Sequence, residues 1–135
     1  MGFPSDIGII ETFVGMPSRN RKDVYKFLAP RLKDESQDFK MPAQYMFKDV
    51  PADLEESIDP VALLVDQLDR NNIETAMIVF NPEGPDHLRL LEEHPTRFVT
   101  CLEFDPNDVM PSIEKIRSVH EQFGLRALST FPSGY

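Results

Sequence analysis

Strand-forming and helix-forming segments alternate along this sequence, and the alternation restricts the folds open to it. Short apolar runs suited to buried strands occupy residues 7–14 (IGIIETFV), 75–80 (TAMIVF), 97–103 (RFVTCLE) and 125–130 (LRALST). Helical patterns separate the last three runs. Strands that alternate with helices predict an α/β fold with a parallel sheet, right-handed crossovers and a ligand crevice at the carboxyl ends of the strands.

The clearest helix signal follows Asp59, a good N-cap residue with Pro60 at the first helical position. Apolar residues then recur at the spacing of one helix face, at Val61, Leu64, Val65 and Leu68. Asn71 and Asn72 can end this helix. The pattern predicts a helix that precedes the second strand.

Two further helices are predicted, over residues 85–93 and from Asp108 to the left-handed terminator Gly124. Their predicted inward positions are Leu88 and Leu91 in the first, and Ile113 and Ile116 in the second. Two architectures accommodate four such strands. A doubly wound sheet suits the length of 135 residues, whereas a closed (β/α)₈ barrel needs roughly 250.

One domain is predicted for residues 1–135, with a long inserted excursion after the first strand at residues 15–57. The excursion has dense charge, prolines at positions 17, 30, 42 and 51, and several aromatic residues. Connections inside domains are usually only about 4–6 residues long. We therefore expect the excursion to cover a pocket or a neighbouring subunit.

The charge balance excludes some partners. Fourteen basic and 23 acidic residues give a net charge of −9, which disfavours nucleic acid and anionic membrane surfaces. No apolar run approaches the roughly 20 residues that span a bilayer, and no basic segment leads into an apolar one near the N-terminus. A single cysteine, Cys101, excludes an internal disulfide. We expect a cytoplasmic protein.

Specific phrases carry a family resemblance. His94-Pro95-Thr96-Arg97-Phe98, the Asp105-Pro106 turn and Gly124-Leu125-Arg126-Ala127 resemble, in order and spacing, the amidohydrolase-related family that includes aminocarboxymuconate semialdehyde decarboxylase. The resemblance implies a partial (β/α)₈ barrel of about the first four βα units, so we expect a truncated or divergent member. It also implies hydrolysis or decarboxylation of a small carboxylated or cyclic compound, the small-molecule substrate.

The resemblance implies a divalent metal as well, often zinc, held first by a His-x-His at the end of the first strand. The matching positions here are Phe13 and Gly15, and neither can bind a metal. Some decarboxylating members use Glu-x-His, and in that register Glu11 supplies the carboxylate while Phe13 stands at its partner position. Catalytic zinc takes about three protein ligands. A metal-free binding or partner subunit is therefore the alternative hypothesis.

A crevice at the carboxyl ends of the strands would be lined by polar residues that end each strand. The candidates are Glu11, Thr12, Asn81, Glu83, Glu103, Asp105, Ser129 and Thr130. Asn-Pro and Asp-Pro pairs are also ordinary turn formers, and acidic residues after strands often cap helices, so a structural role stays open for each candidate. Exposed sheet edges and the aromatic excursion further predict a homo-oligomer.

The remaining chemistry-bearing residues favour structural roles. His94 precedes Pro95 in a turn on the amino-terminal side of the strands, where residues serve stability. His87 is interpreted as a solvated residue in a first helical turn, His120 as a half-buried packing residue, and Cys101 as an inert core thiol. The Gly-x-Ser-x-Gly, Gly-x-Gly-x-x-Gly and Walker-A patterns are absent.

Overall fold

The computed structural model describes residues 6–19 and 54–130. In chain order the elements are β1 (Ile9–Val14), α1 (Pro60–Arg70), β2 (Ile73–Val79), α2 (Pro85–Glu93), β3 (Phe98–Glu103), α3 (Val109–Phe123) and β4 (Ala127–Ser129). The predicted alternation of strands and helices is confirmed. None of the helices in the described ranges is both long and apolar enough to cross a bilayer.

Contacts divide the chain into two compact units. One holds all seven elements, and the other is built around Ser18–Ile58. Within the described part of the second unit, Arg19 Nη1 donates to the carbonyl oxygens of Glu55 and Glu56 at 3.4 and 3.0 Å. Most of the excursion predicted for residues 15–57 lies outside the described residues.

Local capping explains where α1 begins. Asp59 has an extended backbone, and its Oδ1 accepts a hydrogen bond from Val61 N at 3.0 Å, which satisfies one of the free N–H groups of the first turn. Arg89 of α2 also donates to Asp59, with Nη1 3.0 Å from Oδ2. This hydrogen bond is the main reason that the pKa of Asp59 lies below its ordinary value. The cap therefore also joins α1 to α2.

The four strands form one parallel sheet in the order β1-β2-β3-β4. Ala76 of β2 pairs with Phe98 of β3, and Ile78 pairs with Thr100. The order is sequential throughout, whereas a doubly wound sheet reverses its strand order at a switch point. The described sheet contains no such reversal.

The helices cover one face of this sheet. Residues of α1 and α2 join Ala76 and Ile78 in one apolar cluster, and Val119 of α3 joins Phe80 and Leu102 in a second. Since alternate strand residues point to the same side, these partners share a face. A doubly wound sheet carries helices on both faces, so the doubly wound alternative is wrong for the described elements. Successive βα units wound in one direction are what a partial barrel contains.

Two predicted inward positions are wrong. In α2 the fully buried residue is Leu90, at 0% exposure, while Leu88 is 38% exposed. In α3 Ile113 is 36% exposed, and the helix packs through Ile116 and Val119 instead. The other two predicted inward positions, Leu91 and Ile116, do pack against the apolar clusters.

The amino-terminal ends of the strands, here called the amino edge, are tied together by side chains. Arg97 Nη2 donates to Asp69 Oδ1 and to the carbonyl oxygen of Ile73, each at 2.9 Å. Asn72, with a positive φ of 55°, donates from Nδ2 to the carbonyl oxygen of Ile7 at 3.1 Å. The histidine-proline turn before β3 therefore lies on the structural side of the sheet, as predicted for His94.

Candidate functional site

Most of the predicted strand-end residues lie where parallel strands finish, here called the carboxyl edge. Glu103 of β3 is the register partner of Ser129 of β4, and Phe104 N donates to the carbonyl oxygen of Ser129 at 3.0 Å. Phe80 N donates to the carbonyl oxygen of Cys101 at 2.7 Å. The ends of β2, β3 and β4 are thus joined in one row, as a crevice at this edge requires.

Glu11 stands apart from that row. Its register partner is Ala76, and the pairing between β1 and β2 is irregular between Glu11 and Val14. Ala76 lies three positions before the end of β2 at Val79, roughly 10 Å along the strand. Glu11 Oε1 accepts a hydrogen bond from Phe13 N at 3.1 Å. The carboxylate therefore holds the irregular end of its own strand.

Asn81 and Asp105 also bond within their own loops. Asn81 Oδ1 accepts from Glu83 N at 3.0 Å, and Asp105 Oδ1 accepts from Asn107 N at 2.8 Å. Both are Asx-type turns, in which a side chain mimics a backbone turn. The turn-forming role that stayed open for these two residues is what their geometry shows.

Within residues 6–19 and 54–130, the side chains of the other strand-end candidates do not form such turns. Thr12, Glu83 and Thr130 are exposed. Ser129 Oγ is buried and has no hydrogen-bond partner, one of only two such side-chain atoms among the described residues. Buried polar atoms are normally hydrogen-bonded. The end of β4 therefore carries a buried hydroxyl that no described residue satisfies, beside Glu103 of β3.

His87 lies at the same edge, in the first turn of α2. The interpretation of this residue as solvated is wrong, because its ring is half-buried and stands edge-on to Phe80, with centroids 6.0 Å apart and planes at 76°. Asn81 N donates to its Nδ1 at 3.4 Å. Burial lowers the pKa of His87 below its ordinary value, and the nearby Asp86 carboxylate opposes this effect.

The other two histidines and the cysteine have structural surroundings. His94 caps the end of α2, where its N–H donates to the carbonyl oxygen of Leu90, and His120 Nδ1 lies 3.0 Å from the carbonyl oxygen of Leu125. Cys101 is a free thiol, 1% exposed. The predicted packing role of Cys101 agrees with this burial.

The residues that the structure describes do not fit the divalent metal that the resemblance implies. Among residues 6–19 and 54–130, no three His, Cys, Asp or Glu side chains come together as a metal site. All three histidines of the chain fall in these ranges. At the family's first ligand position Phe13 is 64% exposed, and the carboxylate of Glu11 is engaged by Phe13 N. No chemical step is therefore assigned to a metal.

Comparison with known proteins identifies no relative. Neither a protein-family model, nor a curated protein, nor a solved structure matches the chain.

The sequence interpretation missed one candidate, His87. The sequence contains a signal that could have identified this residue. His87 follows Asn81, at the end of the second strand, by six residues, and Gly84 lies between them. A glycine in the loop lets a ring approach the backbone, and an ideal Cβ on Gly84 would lie 2.7 Å from Cδ2 of His87.

Proposed function

We propose that this chain forms successive βα units of an amidohydrolase-type (β/α)₈ barrel and that its carboxyl edge acts on a small carboxylated or cyclic compound by hydrolysis or decarboxylation. The supporting observation is the sequential, all-parallel order of four strands with helices on one face. In barrels of this kind the site lies at the carboxyl ends of the strands.

The polar groups of that edge suit a small polar ligand. The Asx-type turns at Asn81 and Asp105 fix the loops after β2 and β3, which limits the ordering cost of binding. The unpaired hydroxyl of Ser129 gains a partner if a ligand oxygen or nitrogen reaches it. Exposed Thr130 supplies a second hydroxyl close by.

A metal-free binding or partner subunit is the second candidate. Its support is Phe13, an exposed apolar side chain at the family's first ligand position, together with the lack of a fitting ligand group in the described ranges. Under this hypothesis the same edge binds the compound without converting it. The homo-oligomer and the cytoplasmic location predicted from the sequence remain proposals.

One experiment separates these candidates. The full chain is exposed to zinc, dialysed and analysed for metal by mass spectrometry, and benzoate, 2-hydroxybenzoate and hydantoin are then tested for binding and turnover by NMR, with and without EDTA. We expect substoichiometric zinc, and turnover that EDTA does not abolish. Binding without turnover would favour the second candidate, and no binding of any probe would contradict both.

A matched pair of variants locates the binding. Thr130→Val removes a hydroxyl at the carboxyl edge, while Thr96→Val removes one from the exposed turn before β3. We expect Thr130→Val alone to weaken probe binding, by severalfold, which corresponds to one hydrogen bond. Equal effects of the two variants would place the ligand elsewhere.

A further inference from the structure

The imidazole of His87 is held at the carboxyl edge by contacts with three neighbours. Its ring stands edge-on to Phe80, its Nδ1 accepts from Asn81 N at 3.4 Å, and its Cδ2 lies 2.7 Å from the place where a Cβ on Gly84 would stand. The backbone of the loop is itself fixed, because Gly84 N donates to the carbonyl oxygen of Asn81 at 3.1 Å. The ring orientation is therefore set by the loop after β2.

These contacts define which ring nitrogen carries the proton. A neutral imidazole has one donor and one acceptor nitrogen, and an Nδ1 that accepts from Asn81 N leaves the hydrogen on Nε2. In the described part of the chain the buried side-chain atoms without partners are Arg97 Nε and Ser129 Oγ. Nε2 of His87 is not one of them, and none of residues 6–19 and 54–130 accepts a hydrogen bond from it. This N–H is consequently open to a ligand.

The surroundings of His87 favour the neutral form of its ring. Burial lowers its pKa, and among charged neighbours only Asp86 raises it. Arg89 approaches Asp86, with Nη2 3.5 Å from Oδ1, and so partly offsets that carboxylate. The position in the first turn of α2 also disfavours a positive charge, since the amino end of a helix dipole is positive.

We propose that His87 is a ligand-binding residue of the carboxyl edge, whose neutral imidazole donates its Nε2 hydrogen to a carbonyl or carboxyl oxygen of the bound compound. This inference rests on the function proposed above. A neutral imidazole near a helix amino terminus can polarise a carbonyl group, which is the part that a metal plays as a Lewis acid elsewhere. His87 thus supplies an electrophile at an edge whose described residues do not fit a metal.

Gly84 provides a test that leaves the imidazole in the protein. An added Cβ would lie 2.7 Å from His87 Cδ2 and 3.4 Å from Asn81 Nδ2, so Gly84→Ala must displace the ring. The backbone of Gly84 has φ −84° and ψ 117°, which alanine adopts without strain. Gly15→Ala is the matched control, because nothing lies within 4 Å of the added Cβ.

The experiment records ring-nitrogen NMR spectra of the full chain during titration with benzoate and benzamide. We expect the Nε2-H form of His87, a probe-induced shift of His87 Nε2 that exceeds any shift of His94 or His120, and binding weakened about tenfold in His87→Ala, corresponding to one lost hydrogen bond. His87→Gln, which keeps a donor, should recover part of the affinity. Gly84→Ala should reduce the His87 shift, and Gly15→Ala should preserve it.

Other outcomes distinguish a failure of this inference from a failure of the proposed function. An Nδ1-H form of His87, or probe shifts at Ser129 and Thr130 without a shift of His87, would overturn this inference and leave the proposed function standing. If no residue of the carboxyl edge shifts with either probe, the proposed function fails and the inference fails with it.

Discussion

The two edges of the sheet use polar side chains in opposite ways. At the amino edge, Arg97 bonds to Asp69 and Ile73, 28 and 24 residues away, and Asn72 bonds to Ile7 across 65 residues. At the carboxyl edge, the bonds accepted by the Asn81 and Asp105 side chains come from residues only two positions along the chain. The amino edge joins elements together, whereas the carboxyl edge shapes individual loops.

Under the proposed function, this difference separates the residues that stabilise the fold from those that bind the compound. Long-range bonds stabilise the relative positions of α1, β2 and β3, so their loss should destabilise the fold. Short-range bonds fix each loop and leave other groups of the same edge, such as Ser129 Oγ and His87 Nε2, without a hydrogen-bond partner in the part of the chain that the structure describes. Barrel proteins divide their two ends in the same sense.

The largest expected effect is at the amino edge. Arg97→Ala removes hydrogen bonds to the Asp69 carboxylate and the Ile73 carbonyl, and we expect a loss of about 2 kcal/mol in the free energy of unfolding. Urea denaturation measures it. Arg126→Ala is the control, because Arg126 is exposed and should change stability by less than about 0.5 kcal/mol. Equal losses would show that the hydrogen bonds of Arg97 do not stabilise the amino edge.

A pair of serines tests the unsatisfied group at the carboxyl edge. Ser112 Oγ donates to the carbonyl oxygen of Asp105 at 2.8 Å, so Ser112→Ala should cost about 1 kcal/mol in the free energy of unfolding. Ser129 Oγ is buried and has no hydrogen-bond partner among the described residues, so Ser129→Ala should leave stability unchanged or raise it, while weakening probe binding. Thermal unfolding and probe titration of both variants check this. A destabilised Ser129→Ala would show that its hydroxyl is already satisfied.

The smallest expected effect is a pH dependence carried by His87. Burial places its folded pKa below the ordinary 6.5, so the unfolded chain binds more protons as the pH falls below that value. Stability contributed by the neutral ring is therefore present above about pH 6.5 and is lost as the pH falls towards the lowered pKa. We expect His87→Gln to lose less stability than the unmodified chain between pH 7 and pH 5 in urea denaturation. Parallel curves would contradict the lowered pKa.

Local signals in the sequence predicted the elements, and tertiary contacts decided their details. Asp59 and Pro60 start α1 as predicted, because a cap and a fixed φ act within one turn. The second strand begins at Ile73 and not at residue 75, since Ile73 pairs with Ile9 of β1. The buried side of α2 falls on Leu90 because the sheet selects it. Such partners are distant in sequence, so periodicity cannot reveal them.

In the candidate site, too, local sequence signals predicted some features and tertiary contacts decided others. Strand-end positions could be predicted, since parallel strands bring their carboxyl ends to one edge. The placement of Glu11 beside Ala76 could not, because it depends on irregular pairing between β1 and β2. The environment of His87 could not either, since its burial comes from Phe80 and the loop geometry at Gly84.

Under the proposed function, the carboxyl edge binds a small compound while the side chains of the amino edge stabilise the fold. Backbone amide shifts of the full chain during titration with benzoate test it most directly. We predict the largest shifts at residues 81–84, 103–105 and 129–130, and none at residues 72–74 or 94–97. Shifts concentrated around Arg97 and Asn72, with the carboxyl edge unchanged, would contradict the account.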